Sequence, residues 1–204
     1  MVRRLPAPSG PAATVGGVGR LVYGMLTSLD GYTADGGGDF SWAAPDEEVH
    51  AHVNDQQRGA GTYLYGRRMY ETMAAWETDA ELIADSAITR DFAEQWQAAD
   101  KVVVSSTQGE PVTGRTRVVR HFDPEQVQVL KTSSTSDLTI SGPGLAAHAL
   151  RAGLVDELQV YLAPVVVGEG TPYLPPGLHL DLELVDERRF ASGFVFLRHA
   201  VVRS

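Results

Sequence analysis

From position 21 the chain reads Leu-Val-Tyr-Gly-Met-Leu, an unbroken apolar run of the kind a strand buried on both faces produces. It predicts a central first strand over residues 21–26. The segment after it, Ser28 to Ala34, leads into Asp-Gly-Gly-Gly-Asp at residues 35–39, too glycine-rich for regular structure and suited to a mobile loop over a ligand. Pro45 and the acidic residues behind it open a helix over residues 46–58, with Val49 and Val53 as its narrow apolar stripe. A β-prone run at residues 62–65 turns at Gly66 into a helical stretch to residue 75. A longer helix is expected over residues 80–98, where Ile88, Phe92 and Trp96 recur at i, i+4, i+8.

The second half alternates in the same way. Strands are expected at residues 101–105, 117–120 and 138–140, and helices at 124–131, with Pro at its first turn, and at 145–152, ended by Gly153. Residues 158–167 form a long apolar run, residues 180–184 alternate with period two, and Ser192-Gly193 turns into a last strand over 194–202. Strands alternating with helices predict a three-layer α/β fold: a central, mostly parallel mixed sheet, helices on both faces and an antiparallel hairpin at the C-terminal edge. Such a sheet takes ligands in the crevice beyond the carboxyl ends of its strands. Residues 1–19, rich in Pro, Ala and Gly, read as a flexible tail, and residues 20–204 as one domain.

Composition narrows the function classes. A net charge of −9 gives no basic face for a phosphate backbone, so nucleic acid is not expected as a partner. The absence of Cys removes disulfides, thiolate metal sites and a cysteine nucleophile, and fits a cytoplasmic protein. No run approaches the ~20 apolar residues needed to cross a bilayer, and the N-terminal stretch lacks the apolar centre of a secretory signal. The six His residues are scattered, and His50 and His52, two apart on a helix, point in different directions, so no metal site is expected.

Three strand ends carry candidate chemistry. Gly66, Arg67 and Arg68 stand where a strand turns into a helix, so backbone N–H groups and two forked guanidinium groups face whatever lies beyond. Taken alone, the pair reads equally well as solvated arginines. Ser141, Gly142, Pro143 and Gly144 repeat the junction with little side-chain bulk, though a glycine-rich turn before a helix is also common punctuation. Ser105, Ser106 and Thr107 add three hydroxyls at a third strand end, or form an ordinary polar loop. Together, in one parallel sheet, the three favour a dinucleotide. Asp30, Asp35, Asp39, Asp46, Glu47 and Glu48 crowd the glycine-rich loop and first helix; one carboxylate in a cleft suffices to assist protonation during hydride reduction of a C=N bond.

The segment Gly66-Arg67-Arg68-Met69-Tyr70-Glu71-Thr72-Met73 resembles the Gly-Arg-x-Thr-Trp-Glu-Ser-Ile segment of dihydrofolate reductases. Residues 28–32 (Ser-Leu-Asp-Gly-Tyr), 101–107, 141–144 and 153–158 (Gly-Leu-Val-Asp-Glu-Leu) stand in the order of a stand-alone member of the riboflavin biosynthesis reductase (RibD C-terminal) domain family, in the dihydrofolate reductase-like superfamily. The resemblance runs from about residue 21 to 202. It implies NADPH, with Arg67, Arg68, Ser105, Ser106 and Thr107 around the 2′-phosphate and adenosine end and Ser141, Gly142, Pro143, Gly144 and Leu145 near the pyrophosphate. It implies a homodimer, for which residues 158–167 and the C-terminal hairpin are candidate contacts. Trp42-Ala43-Ala44-Pro45-Asp46-Glu47 has the spacing of the Trp-x-x-Pro-x-Asp substrate motif with Glu for Asp, which makes Glu47 the first candidate acid. Asp30, in the turn kept beside the nicotinamide, is the second.

Departures bear on the substrate. Riboflavin-pathway enzymes carry a Trp-Ile-Thr/Ser-Gly segment and then an Arg for a ribose phosphate, whereas residues 40–48 are acidic here. Met69 replaces the usual Thr, removing one phosphate-side hydroxyl. The zinc deaminase motifs of the bifunctional enzymes are missing. The resulting expectation is an NADPH-dependent reductase of a small pterin- or pyrimidine-like heterocycle or other conjugated substrate; the alternative is a non-catalytic NADPH-binding or scaffolding module of the same fold.

Overall fold

A computed structural model describes residues 19–203. The tail expected over residues 1–19 lies outside the described residues except for Gly19, whose amide donates to the Lys131 carbonyl at 2.9 Å. In chain order the first half comprises β1 (Leu21–Thr27), β2 (Tyr32–Asp35), α1 (Glu47–Gln57), β3 (Ala60–Gly66), α2 (Arg67–Met73), α3 (Ala75–Thr78), α4 (Ala80–Ala84), α5 (Ala87–Ala98) and β4 (Asp100–Val104). The second comprises β5 (Thr116–Val119), α6 (Pro124–Ser133), β6 (Asp137–Ser141), α7 (Pro143–Arg151), β7 (Glu157–Leu162), β8 (Gly170–Pro172), β9 (Asp181–Arg189) and β10 (Val195–Val202).

Eight strands form one sheet in the order β5-β4-β3-β6-β1-β7-β10-β9. The first six are parallel, and β9 and β10 close the edge as the expected antiparallel hairpin. The strand that opens the chain lies inside the sheet, between β6 and β7, which accounts for its unbroken apolar run.

Alternation along β3 shows how the layers form. Leu64 points into the cluster built with Leu145, Ala146 and Ala149 of α7 and Val127 of α6. Its neighbours Tyr63 and Tyr65 point to the other face, against Tyr70 of α2 and Phe92 and Trp96 of α5. A third cluster joins Val49 of α1 to Tyr161, Phe190, Phe194 and Phe196 under the hairpin. Full burial of each such side chain contributes about 1.5–3 kcal/mol, so these contacts set the positions of α1, α2, α5, α6 and α7 on the sheet.

Where the elements differ from expectation, a named group explains it. The helix expected over residues 80–98 is two, because Ser86 accepts from the Thr89 amide while the Thr89 hydroxyl accepts from the Ser86 amide, a reciprocal cap that starts α5 afresh. The apolar run 158–167 is a strand only to Leu162: Pro164 has no N–H for the ladder, and Val165 N–H turns back to the Ala163 carbonyl at 2.8 Å. β9 extends to Arg189, since a register shift at Arg198/His199 lets its charged half keep pairing. A second, two-stranded sheet, β2 with β8, was not foreseen. It needs Gly170, where φ is +144° and a Cβ would lie 2.0 Å from the Ala34 carbonyl oxygen. Within the glycine-rich segment, the Asp35 carboxylate accepts from the amides of Gly37 and Asp39.

Asp156, in the Gly-Leu-Val-Asp-Glu-Leu segment, is a structural knot. It accepts from the Leu21 amide at 2.7 Å and from Lys131 Nζ and an Arg203 nitrogen at 2.6 Å each, joining β1, α6 and the end of the chain. Among the described residues no helix is long and apolar enough to cross a membrane.

Candidate active site at the carboxyl ends of the strands

The chain leaves β3 toward β4, through α2 to α5 on one face. It leaves its neighbour β6 toward β7, through α7 on the other face. Two adjacent parallel strands whose connections depart to opposite sides define a topological switch point, the place where such sheets open a crevice. Gly66-Arg67-Arg68 and Ser141-Gly142-Pro143-Gly144 flank it. Tyr65 pairs with Ser141 in register, and the Cβ positions of Gly66 and Gly142 would lie 3.8 Å from Leu145 Cβ and 3.2 Å from Met69 Cβ. Gly142 has φ +91°, a conformation that L residues other than glycine rarely hold.

Helix starts distinguish this crevice. Asp46, Asp79, Ser86 and Asp123 cap α1, α4, α5 and α6 with side-chain oxygens. The N-caps of α2 and α7 are Gly66 and Gly142, and neither has a side-chain cap; α3, which continues from α2 through the helical Ala74, has none either. First-turn amides with no internal acceptor carry partial positive charge and suit an anion. Space beside Gly144 is open, since a Cβ there would meet nothing within 4 Å. Arg67 and Arg68 are exposed at the start of α2, Arg67 paired with Glu71 at 2.8 Å.

At the end of β4, the Ser105 hydroxyl accepts from the amides of Thr107 and Gln108, bending the chain across the strand end. Arg120, just past the end of β5, clamps this loop by donating to the carbonyls of Ser106 at 3.3 Å and Gln108 at 2.9 Å. The sequence reading missed Arg120, whose signal was its place at a strand end beside a polar loop. It also missed Met25, whose Sδ accepts from the Gly142 amide at 3.3 Å, and no pattern in the chain announces that contact. Ser141 and Leu145 are buried, and the Ser141 hydroxyl donates to the Gly24 carbonyl. These two therefore shape the turn from below, whereas Gly142 to Gly144 form its surface.

The acidic residues lie on the other side of β1. Asp30 accepts from the amides of Val167 at 3.2 Å and Gly168 at 2.8 Å, fastening the β1–β2 turn to the segment after β7. The Ser28 hydroxyl, with those two amides, holds its carboxyl below the usual carboxylate range. Asp46 caps α1, and Glu48 accepts from Arg188 and from the Ala191 amide, both at 3.0 Å. Glu47, exposed in the first turn of α1, makes no hydrogen bond or ion pair among the described residues. Leu29 and Phe40 add large exposed apolar surface on this side. Further along α1, His52 contacts the Tyr161 hydroxyl at 2.9 Å inside a ring of Phe190 and Phe196, and His50 packs on Trp76 and Phe92. Desolvation lowers the pKa of both imidazoles.

The model of the RibD C-terminal domain matches residues 20–196. The chain belongs to the RibD C-terminal domain family. Every candidate residue named above, from Asp30 to Leu145, lies inside the matched stretch. Among relatives, the chain is similar to YyaP of Bacillus subtilis, 26% identical over 178 residues that cover 86% of this chain and 92% of that protein. It is also 26% identical over 161 residues to the riboflavin biosynthesis protein RibD of Mycobacterium tuberculosis, covering 74% of this chain but only 44% of RibD. A riboflavin biosynthesis protein of Shewanella sp. PV-4 shares the fold with a TM-score of 0.68 at 18% identity, covering 90% of this chain and 99% of that one. A pyrimidine reductase-like protein of Corynebacterium diphtheriae does so with a TM-score of 0.59 at 15% identity, covering 91% and 93%.

Proposed function

We propose that this RibD C-terminal domain protein is an NADPH-dependent reductase of a small, non-phosphorylated heterocycle. The observation that carries the proposal is the pair of uncapped helix starts at the switch point, α2 and α7, with Arg67 and Arg68 at one of them. The amides of Gly144 and Leu145 suit the pyrophosphate, and the two guanidinium groups with Ser105, Ser106 and Thr107 suit the 2′-phosphate that separates NADPH from NADH. When bound, the cofactor supplies hydride. The chain supplies orientation and exclusion of water, with Leu29 and Phe40 as apolar surface for a flat ring.

For the proton, Glu47 is the stronger candidate. Asp30 is committed to two backbone amides and held ionised, which suits fixing the turn and not donating. Asp46 and Glu48 are already engaged, but their charge still disfavours a phosphorylated substrate on this side. Turnover is tested by following NADPH absorbance with pterins and with pyrimidines that carry or lack ribose phosphate. Oxidation is expected with the non-phosphorylated compounds, slowed about 100-fold by Glu47→Gln with NADPH affinity unchanged. Failure of NADPH to bind at high micromolar concentration refutes the reading.

The solvent exposure of Glu47 favours a second reading, NADPH binding without turnover. There Glu47→Gln alters nothing measurable and no compound of the screen is reduced. A homodimer is part of the proposal: Leu182, Leu184, Val185 and Val202 leave apolar surface exposed on the β9–β10 edge, and light scattering of the purified chain tests it.

A further inference from the structure

The polar loop at the end of β4 is bracketed by arginines on the two neighbouring strands. Gly66 of β3 pairs with Val104 of β4, and Val104 with Val119 of β5, so the three strands end level, with adjacent strands about 4.8 Å apart. One residue further on stand Arg67, Ser105 and Arg120. Ser105 is tied to this level by its amide, which donates to the Val119 carbonyl at 2.9 Å. Arg67 spends part of its charge on Glu71, 2.8 Å away. Arg120 is exposed and has no carboxylate partner among the described residues; the nearest acid along the chain, Asp123, is used to cap α6 through the amides of Glu125 and Gln126.

Both bonds that Arg120 makes to the loop, to the carbonyls of Ser106 and Gln108, leave from one terminal nitrogen, Nη1. Its Nε–H and the N–H groups of Nη2 have no partner among the described residues, and that edge of the guanidinium fork is one that takes two oxygens of a phosphate side by side. A guanidinium already fixed at one end loses less freedom when the other end meets an anion. A phosphate monoester carries close to two negative charges at neutral pH, and in a chain of net charge −9 a further cation beside the loop offsets the repulsion it meets. Resting on the NADPH reading above, we infer that Arg120 is a further cofactor-selecting residue: its free edge binds the 2′-phosphate beside the hydroxyls of Ser105, Ser106 and Thr107, while the bonds to Ser106 and Gln108 hold it in place.

The test compares NADPH with NADH, which differ only in that phosphate, by calorimetry on the full chain and on Arg120→Gln, which removes the charge and keeps an amide for the loop carbonyls. NADPH is expected to bind about tenfold more weakly to the variant, and NADH within about twofold of its wild-type affinity. Phosphorus NMR adds a signature that loop shaping alone does not produce. A phosphate monoester loses its second proton near pH ~6; the bound 2′-phosphate is expected to lose it at lower pH in the wild-type complex and to move back up in Arg120→Gln. Arg120→Lys, which keeps the charge without the fork, serves if Arg120→Gln fails to fold, with about a threefold loss confined to NADPH. Equal loss of both nucleotides, or loss of neither, overturns the role of Arg120 and, with NADPH still bound by the wild-type chain, leaves the cofactor reading standing. A wild-type chain that binds neither nucleotide refutes both.

Discussion

The two halves of the carboxyl-end crevice handle their polar groups in opposite ways. Around β3 and β6 the helix starts are left without side-chain caps, and positive charge from Arg67 and Arg68 stands beside them. Around β1, β7 and β10 the acids are mostly spent on the protein itself: Asp30 on Val167 and Gly168, Asp46 on Val49, Glu48 on Arg188 and Ala191. One half leaves its helix starts uncapped, as the proposed cofactor site requires, and the other spends its acids on holding its loops. A phosphate-bearing cofactor needs many directed donors, whereas a flat ring needs surface, shape and one acid.

The largest effect that could break this contrast is on the cofactor side. Arg67→Ala with Arg68→Ala is expected to weaken NADPH binding about 100-fold, by calorimetry, and NADH binding far less, because charged hydrogen bonds contribute about 1.5–3 kcal/mol each. Melting temperature should hardly move, since the Arg67–Glu71 pair is exposed. Next, Gly142→Ala forces a side chain into φ +91° against Met69, costing about 1–3 kcal/mol in denaturant unfolding and reducing NADPH affinity together with stability.

On the acidic side the expected effects are smaller and separate from the cofactor. Asp46→Ala removes the cap of α1 and costs about 1 kcal/mol of stability, with NADPH affinity unchanged. Smallest is the pH response of the same helix. Burial lowers the pKa of His50 and His52 in the folded chain, while in the unfolded chain they titrate near ~6.5. Below that pH the unfolded state binds more protons, so the melting temperature is expected to fall as pH drops from about 7 to about 5, and to fall less in His52→Gln.

The sheet was largely legible because its inner strands are short apolar runs between turn residues, as in Leu21 to Leu26 and Thr62 to Tyr65. What escaped was non-local or chemically disguised. β2 and β8 pair residues more than a hundred positions apart, and a three-residue strand carries no period. The break at Ser86 hid because Thr89 takes the place that Glu or Gln usually marks in a reciprocal cap. In the crevice, glycines before helices could be read as turns, but a missing cap is visible only when all the helix starts are compared. The commitment of Asp30 to Val167 and Gly168 depends on how the chain returns after β7, which no spacing near Asp30 reveals.

The central claim, that the uncapped starts of α2 and α7 hold the cofactor, is tested most directly by titrating NADPH into the labelled chain and following its backbone amides. Saturable shifts are predicted at Gly66, Arg67, Arg68, Gly142, Gly144 and Leu145, larger than any at Glu47 and Glu48 and weaker with NADH. Absence of saturable shifts at those turns, or shifts concentrated at the start of α1, would contradict the account.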